Sequence, residues 1–296
     1  MHSSSSPDDG DPAKQFFLRF SLSLFIVLAL LTFSCNNKES KKDTTALPAI
    51  DSTLIRQQQQ KAADSVAKAA VLKKKIYITF DDGPNKGTRN VLAAVKEENI
   101  AASFFIVGEH IFDSPRQKET WEILKSDSTV ELCNHSYTHA HNKYTSFYEQ
   151  PGKVVEDFKQ AQKTGGFTNN IARMPGRNAW RIDSIEHTDI YESKAAIDSL
   201  HQAGFAIMGW DIEWMFDHKT LAVDTATSLL LRRIDNMLAA GKTKKPGHLV
   251  LLAHDQAFQK TEDIEKLHFV IQQLKNNPDY ELLFASKYPG IKKDLP

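Results

Sequence analysis

The chain has 296 residues, with 37 Lys and Arg set against 37 Asp and Glu, so its formal net charge is zero. That balance gives no reason to expect nucleic acid or a strongly acidic partner. Its two cysteines, Cys35 and Cys133, are too few for a disulfide framework.

Phe20 to Phe33 is an apolar run preceded by Lys14 and Arg19. It falls short of the ~20 residues a membrane span needs and reads as a signal peptide over residues 1–35. Thr32-Phe33-Ser34-Cys35 has the form of a relaxed bacterial lipobox. Cys35 is therefore the expected lipidation site, and the expected location is the cell envelope, as a membrane-anchored lipoprotein facing the periplasm or the cell surface. An ordinary signal peptide or an uncleaved anchor is the alternative. Asp8, Asp9 and Asp11 are unusual ahead of such a run and point to a start codon further in. Residues 36–73 are polar and read as a tether. Within them, Asp51 to Leu72 is rich in Gln, Ala and Lys, which predicts a helical stalk of about 30 Å. Residues 74–296 form the globular part, of a size for one barrel-like domain.

Ile76 to Phe80 is β-branched and aromatic and predicts a buried strand, which Gly83-Pro84 ends. Asp81 and Asp82 thus fall where a strand breaks into a loop, the edge at which α/β folds build sites. Neighbouring strand residues point to opposite faces, so these two carboxylates should differ in role. Val91 to Glu98 predicts a helix, Ala102 to Val107 a strand, and Val130 to Cys133 another strand that ends at His135. His135 and His139 are at i and i+4, so one helical turn would place both rings on one face. His141 is off that face and reads as pocket wall or surface. Val154 to Lys163 predicts a helix, Phe205 to Met208 a strand, Thr225 to Ala240 a long helix, and Leu249 to Ala253 a strand. This alternation predicts a parallel α/β barrel.

Two adjacent carboxylates and two imidazoles suit a hydrolytic metal site, which needs three N/O ligands, an open position for water and a carboxylate as base. With Asp82 added to His135 and His139, the ligand set suits zinc. A glycosidase is a poor reading, because adjacent carboxylates rarely face each other across a bond at about 5–9 Å.

Four motifs carry a family resemblance: Thr79-Phe80-Asp81-Asp82-Gly83-Pro84, His135-Ser136-Tyr137-Thr138-His139, Arg173-Met174-Pro175 and Leu252-Ala253-His254. In this order they resemble the polysaccharide deacetylases of the NodB homology domain, carbohydrate esterase family 4. The resemblance spans roughly Lys74 to Tyr288 and implies a distorted, incomplete (β/α) barrel. A further motif of the family, expected between the third and the last of these, departs from its pattern. It reads Trp210-Asp211-Ile212-Glu213-Trp214, with Asp211 expected in the first role and Trp214 in the last. Ala140 stands where Pro is frequent, and Arg177 follows the third motif in place of an aromatic residue. Arg177, Asn178 and Trp180 are therefore expected to give a substrate wall of this chain's own.

The resemblance implies one divalent ion, Zn²⁺ with Co²⁺ or Ni²⁺ as alternatives, on Asp82, His135 and His139. It implies Asp81 as base, His254 as general acid and the Gly176 N–H as oxyanion donor. Arg173 is expected to hold Asp81, and Asp211 to orient His254. Trp214 and Leu252 are expected to line the acetyl pocket, and Cys133 to be a small buried hydrophobe. The implied partner is an acetylated glycan and the implied reaction N-deacetylation, as on N-acetylglucosamine residues of peptidoglycan, by a monomer. An O-acetyl esterase acting on xylan or a similar polysaccharide is the second reading. An inactive, lipid-anchored glycan-binding protein is the third.

Overall fold

A computed structural model describes residues 73–292 without a break, together with 53, 56–61 and 64. The apolar run 20–33, Cys35 and residues 36–50 lie outside the described residues. Of the helix expected over 51–72, the described residues are helical and the others lie outside.

Strand β1 (Lys74–Gly83) is the axis of the domain. It pairs in parallel with β2 (Ser103–Ile106) on one side and β9 (His248–His254) on the other. Beyond β2 come β3 (Glu131–Asn134), β4 (Ile171–Ala172), β7 (Ala206–Ile207) and the antiparallel hairpin of β5 (Ala179–Ile182) and β6 (Ile185–Thr188). Beyond β9 lies β8 (Ile212–Glu213), and β10 (Tyr280–Leu282) pairs with the start of β1. The sheet curls without closing, leaving β6 and β8 as its ends, which is the distorted, incomplete barrel expected.

The period of two along the strands separates two cores. Ile76, Ile78, Phe80, Phe104, Leu249 and Leu251 pack outward. The covering helices are α1 (Thr88–Glu97), α2 (Pro115–Ser126), α6 (Thr227–Ala239) and α7 (Thr261–Asn276). Helices α4 (Pro151–Gly165) and α5 (Lys194–Gln202) cover the rest of the sheet through Val154, Phe158, Ile197 and Leu200. Tyr77, Phe105, Cys133, Trp180, Met208 and Val250 fill the barrel interior. Strands buried on both faces read as continuous apolar runs, which is why β1 and β9 were legible. Helix α2 was missed because it buries only Thr120, Trp121 and Leu124 on a polar surface. The β5–β6 hairpin was missed because its turn at Asp183 takes φ +51° without a glycine.

Register carries the interior rows upward. Tyr77 pairs with Val250, Thr79 with Leu252, and Asp81 with His254. Each row starts in the apolar floor and ends in a polar side chain at the C-terminal strand edge.

Phe105 is fully buried, and the Arg173 guanidinium lies 4.0 Å above its ring. Phe105→Ala should lower unfolding stability by about 3–5 kcal/mol, the usual cost of emptying an aromatic site. Urea denaturation checks this; an unchanged midpoint would mean that the floor collapses to fill the space.

Candidate active site

Asp81 ends the interior row of β1. Arg173 Nη1 donates to its Oδ1 at 2.8 Å. Arg173 is fully buried and also donates to Thr79 Oγ1, Met208 O and Gly209 O. Four polar contacts and ring packing leave it no second orientation.

Asp82 breaks the strand with φ +72°, and the pairing of β1 with β2 shifts register between Asp81 and Gly83. In a regular strand the two carboxylates would point apart; the left-handed residue turns Asp82 back toward Asp81. His135 Nε2 lies 3.6 Å from Asp81 Oδ2 and 3.5 Å from Asp82 Oδ1. The twist at Asp82 is held by His110 Nδ1, which donates to its carbonyl at 2.8 Å, and by Asn85 Nδ2 at 3.3 Å. Gln256 Nε2 donates to its Oδ2 at 3.2 Å.

His135 and His139 do not share a helix face, as their spacing suggested. Ser136 and the consecutive residues His139 to Asn142 all have positive φ. The Asp157 carboxylate holds this turn, accepting from the backbone N–H of Tyr137 at 2.8 Å and the hydroxyl of Thr138 at 2.8 Å. The left-handed turn still brings the two rings to a centroid separation of 5.1 Å. His135 Nδ1 donates to Arg173 O at 2.9 Å, which leaves Nε2 with its lone pair free.

Asp82, His135 and His139 offer three ligand atoms within 4.8 Å of one another. Asp82 Oδ1 is buried without a hydrogen-bond partner, although His139 Nε2 is 3.2 Å away. An orphaned carboxylate oxygen facing two imidazole nitrogens is the donor set of a divalent cation. Burial pushes the Asp82 carboxyl up, but its contacts with His135 and His139 hold it well below the usual carboxylate range. Burial pulls the His135 imidazole down, and Asp81 and Asp82 outweigh that and raise it.

The sequence model of the polysaccharide deacetylase family matches residues 68–180. Over that stretch, which holds Asp81, Asp82, His135, His139 and Arg173, the chain is similar to that family. A peptidoglycan-N-acetylglucosamine deacetylase of Bacillus cereus is 25% identical over 186 residues, covering 62% of this chain and 60% of that one. The chain spans about three fifths of the length of the first curated relatives it matches, at 58% and 60%. Among solved structures, a polysaccharide deacetylase of Bacillus cereus superposes with a TM-score of 0.52 at 21% identity, covering 73% of this chain and 94% of that one. A Streptococcus mutans carbohydrate esterase of family 4 gives 0.53 at 21% identity, covering 75% and 90%. These likenesses show the fold.

His254 lines the same pocket from the end of β9. Its Nδ1 is buried without a hydrogen-bond partner, and the nearest carboxylate is Glu213 Oε1 at 3.8 Å. Asp211, expected in that place, is elsewhere. Its oxygens accept from the backbone N–H groups of Lys244 at 2.6 Å and Val250 at 2.8 Å, and burial pushes its pKa up to about 6. Register gives the reason. Glu213 lies opposite Leu252, while the Asp211 N–H bonds to Val250 O, two residues lower on β9 or roughly 6.6 Å further from His254. The visible signal was that Glu213, not Asp211, directly precedes the tryptophan of the motif. Burial raises the Glu213 carboxyl, and His254 partly offsets that.

The pocket has a volume of about 340 Å³; besides the polar groups above, its walls include Tyr144, Met174, Gly176, Trp210, Phe216 and Leu252. Gly176 has φ +60°, and a Cβ there would meet the Tyr144 ring at 3.1 Å. Trp214 does not line the pocket. It packs on Phe258 at 5.5 Å in the outer core, because its strand neighbour Glu213 takes the inward direction. Nor do Arg177, Asn178 and Trp180 form its wall. Trp180 fills the barrel interior, and Asn178 ties it to the Trp210 backbone. His141 is exposed and paired with Glu109 at 2.8 Å, and Cys133 is fully buried.

Asp255 follows His254 and was not singled out from the sequence. It is fully buried, hydrogen-bonded by Thr88 Oγ1 and Asn85 Nδ2, and so ties the Asp-Asp-Gly-Pro loop to β9. A Cβ at Gly87 would lie 1.9 Å from its carbonyl oxygen. Burial pushes its pKa up to about 8; the Thr88 hydroxyl opposes this and Asp82 adds to it. A folded-state pKa raised above the unfolded value of about 3.9 gives stability that is full below the unfolded pKa. That stability is lost as pH rises through about 8. In the metal-free protein, Asp255→Asn should therefore flatten the decline of the urea midpoint between about pH 5 and 8. Parallel pH profiles for the variant and the wild type would contradict this.

Proposed function

We propose that this chain is a metal-dependent hydrolase that removes N-acetyl groups from a glycan, with N-acetylglucosamine residues of peptidoglycan or a similar polymer as substrate. The observation that carries the reading is the convergence of Asp81, an Asp82/His135/His139 set and His254 on one pocket. The relatives named as peptidoglycan deacetylases support the choice of glycan.

A divalent cation held by Asp82, His135 and His139, with Zn²⁺ the best match to the donors, supplies Lewis acidity and a more acidic water. Asp81 takes the proton of the attacking water, and Arg173 fixes the carboxylate in line for it. Gly176, on the pocket wall beside the third motif, offers its N–H to the developing oxyanion. His254 delivers a proton to the departing nitrogen, and Glu213, 3.8 Å from its Nδ1, orients the ring. Leu252 and Trp210 give apolar surface for the acetyl methyl and the sugar face. An O-acetyl ester fits the same site but needs less from His254, because an alkoxide leaves more readily than an amide nitrogen.

Four variants test these roles. Asp81→Asn should retain metal and lower kcat about 10²–10⁴-fold on amides and esters alike. His139→Ala should lower metal content and activity together. His254→Ala and Glu213→Gln should impair amides more than esters. Metal content by mass spectrometry and acetate release from N- and O-acetylated glycans check all four variants. Metal lost from Asp81→Asn, or wild-type stoichiometry and rate in His139→Ala, would refute the assignment.

The same proposal places the enzyme at the cell envelope through a lipid on Cys35. Cys35→Ala should move it from the membrane fraction to the soluble one or leave an unprocessed precursor. A wild-type protein with no lipid on its mature N-terminus would refute the anchor.

A further inference from the structure

Three arginines are buried among the described residues: Arg173, Arg177 and Arg181. Arg173 pairs with Asp81 at 2.8 Å and Arg181 with Asp198 at 2.7 Å. Arg177 has no carboxylate within 4.0 Å among the described residues, although it is only 8% exposed. Its Nε donates to Ser193 Oγ and its Nη1 to Gly176 O, each at 2.8 Å, so its hydrogen-bond partners among the described residues are neutral oxygens. Its guanidinium lies over the rings of Tyr148 at 4.9 Å and Tyr144 at 5.6 Å. Asp189 does not serve as its counter-ion; it accepts from the backbone of Asn178 and Ile190. Burying a cation without a counter-ion is costly, so a site of this kind is built for an anion that arrives from outside.

Arg177 lines a cavity of about 430 Å³ together with Asn142, Lys143, Tyr144, Ser146 and Glu149. Asn142 and Tyr144 also line the catalytic pocket, so the two spaces adjoin. Tyr144 divides them. Its ring meets His139 edge-on at 5.8 Å, and its hydroxyl donates to Asn142 Oδ1 at 3.1 Å. An aromatic face beside amide and hydroxyl groups suits a sugar ring. Lys143 is exposed and adds a second cation; Glu149 contributes one negative charge, which leaves the lining net positive.

We propose that this cavity is a subsite for a carboxylate carried by the unit next to the acetylated sugar, bound by Arg177 and Lys143. The substrate class is then an acidic glycan rather than a neutral one, an inference that rests on the deacetylase reading of the adjoining pocket. The carboxylate belongs either to a lactyl acid ether-linked to the neighbouring sugar or to a peptide attached through it. Both present the same planar anion, which a guanidinium fork is shaped to receive.

The test uses the metal-loaded full chain and two matched pairs of oligosaccharides. One pair carries free lactyl carboxylates or their methyl esters, and the other carries peptides with free or amidated carboxyl groups. Binding is measured by calorimetry and turnover by acetate release. The free acid should bind about 10-fold more tightly than its neutral match in at least one pair, and the pair that responds identifies the source. Adding salt should shrink the ratio, as should Lys143→Glu and Arg177→Met. Lys143 is exposed, so Lys143→Glu and the esterification itself answer the question even if Arg177→Met does not fold. Ratios near one in both pairs overturn the subsite. Acetate release from none of the four overturns the deacetylase reading instead, and the binding ratios still decide the subsite.

Discussion

The buried ion pair of Arg173 and Asp81 governs the site. A guanidinium with no solvent access needs its charge matched and its donors filled. Asp81 supplies the charge, while Thr79, Met208 and Gly209 supply the remaining oxygens. These partners come from β1 and from the segment after β7, so the pair fixes how two parts of an unclosed sheet sit around the pocket floor. The same residue accepts from His135 through its carbonyl. One arginine therefore sets the position of the carboxylate proposed as base and the tautomer of a proposed metal ligand.

Around that pair, left-handed backbone does what regular structure cannot. A regular strand would send Asp82 to the outer helical layer, and φ +72° brings it back. A regular helix after His135 would carry His139 along a rising surface, and a left-handed turn folds it over His135 instead. Each non-glycine residue in this region costs of order 1–3 kcal/mol. Side chains offset that cost locally: His110, Asn85 and Gln256 at Asp82, and Asp157 at the histidine turn. These four are polar residues with ordinary sequence surroundings, which is why none stood out.

The proposed acid shows the same division in another form. Asp211 and Glu213 are equivalent by strand parity, since they lie two residues apart, one just before β8 and one in it. Only the height of β8 against β9 tells them apart, and register places Glu213 at the level from which it reaches His254. Asp211 is left to accept backbone N–H groups lower in the wall.

By itself the sequence determined what depends on composition and short-range periodicity. It specified the apolar rows of β1 and β9, helices α1, α4 and α6, the alternation that makes a parallel barrel, and the residue types that converge on the pocket. Tertiary structure decided what depends on register and on positive φ: Glu213 rather than Asp211 beside His254, and Trp214 in the core rather than the pocket. It also decided that Arg177 faces a cavity without a counter-ion. Such outcomes turn on a shift of one or two residues between distant strands, and a one-residue shift reverses which face a side chain occupies. Local sequence carries the alternation, but the height of one strand against another is settled only when all of them pack.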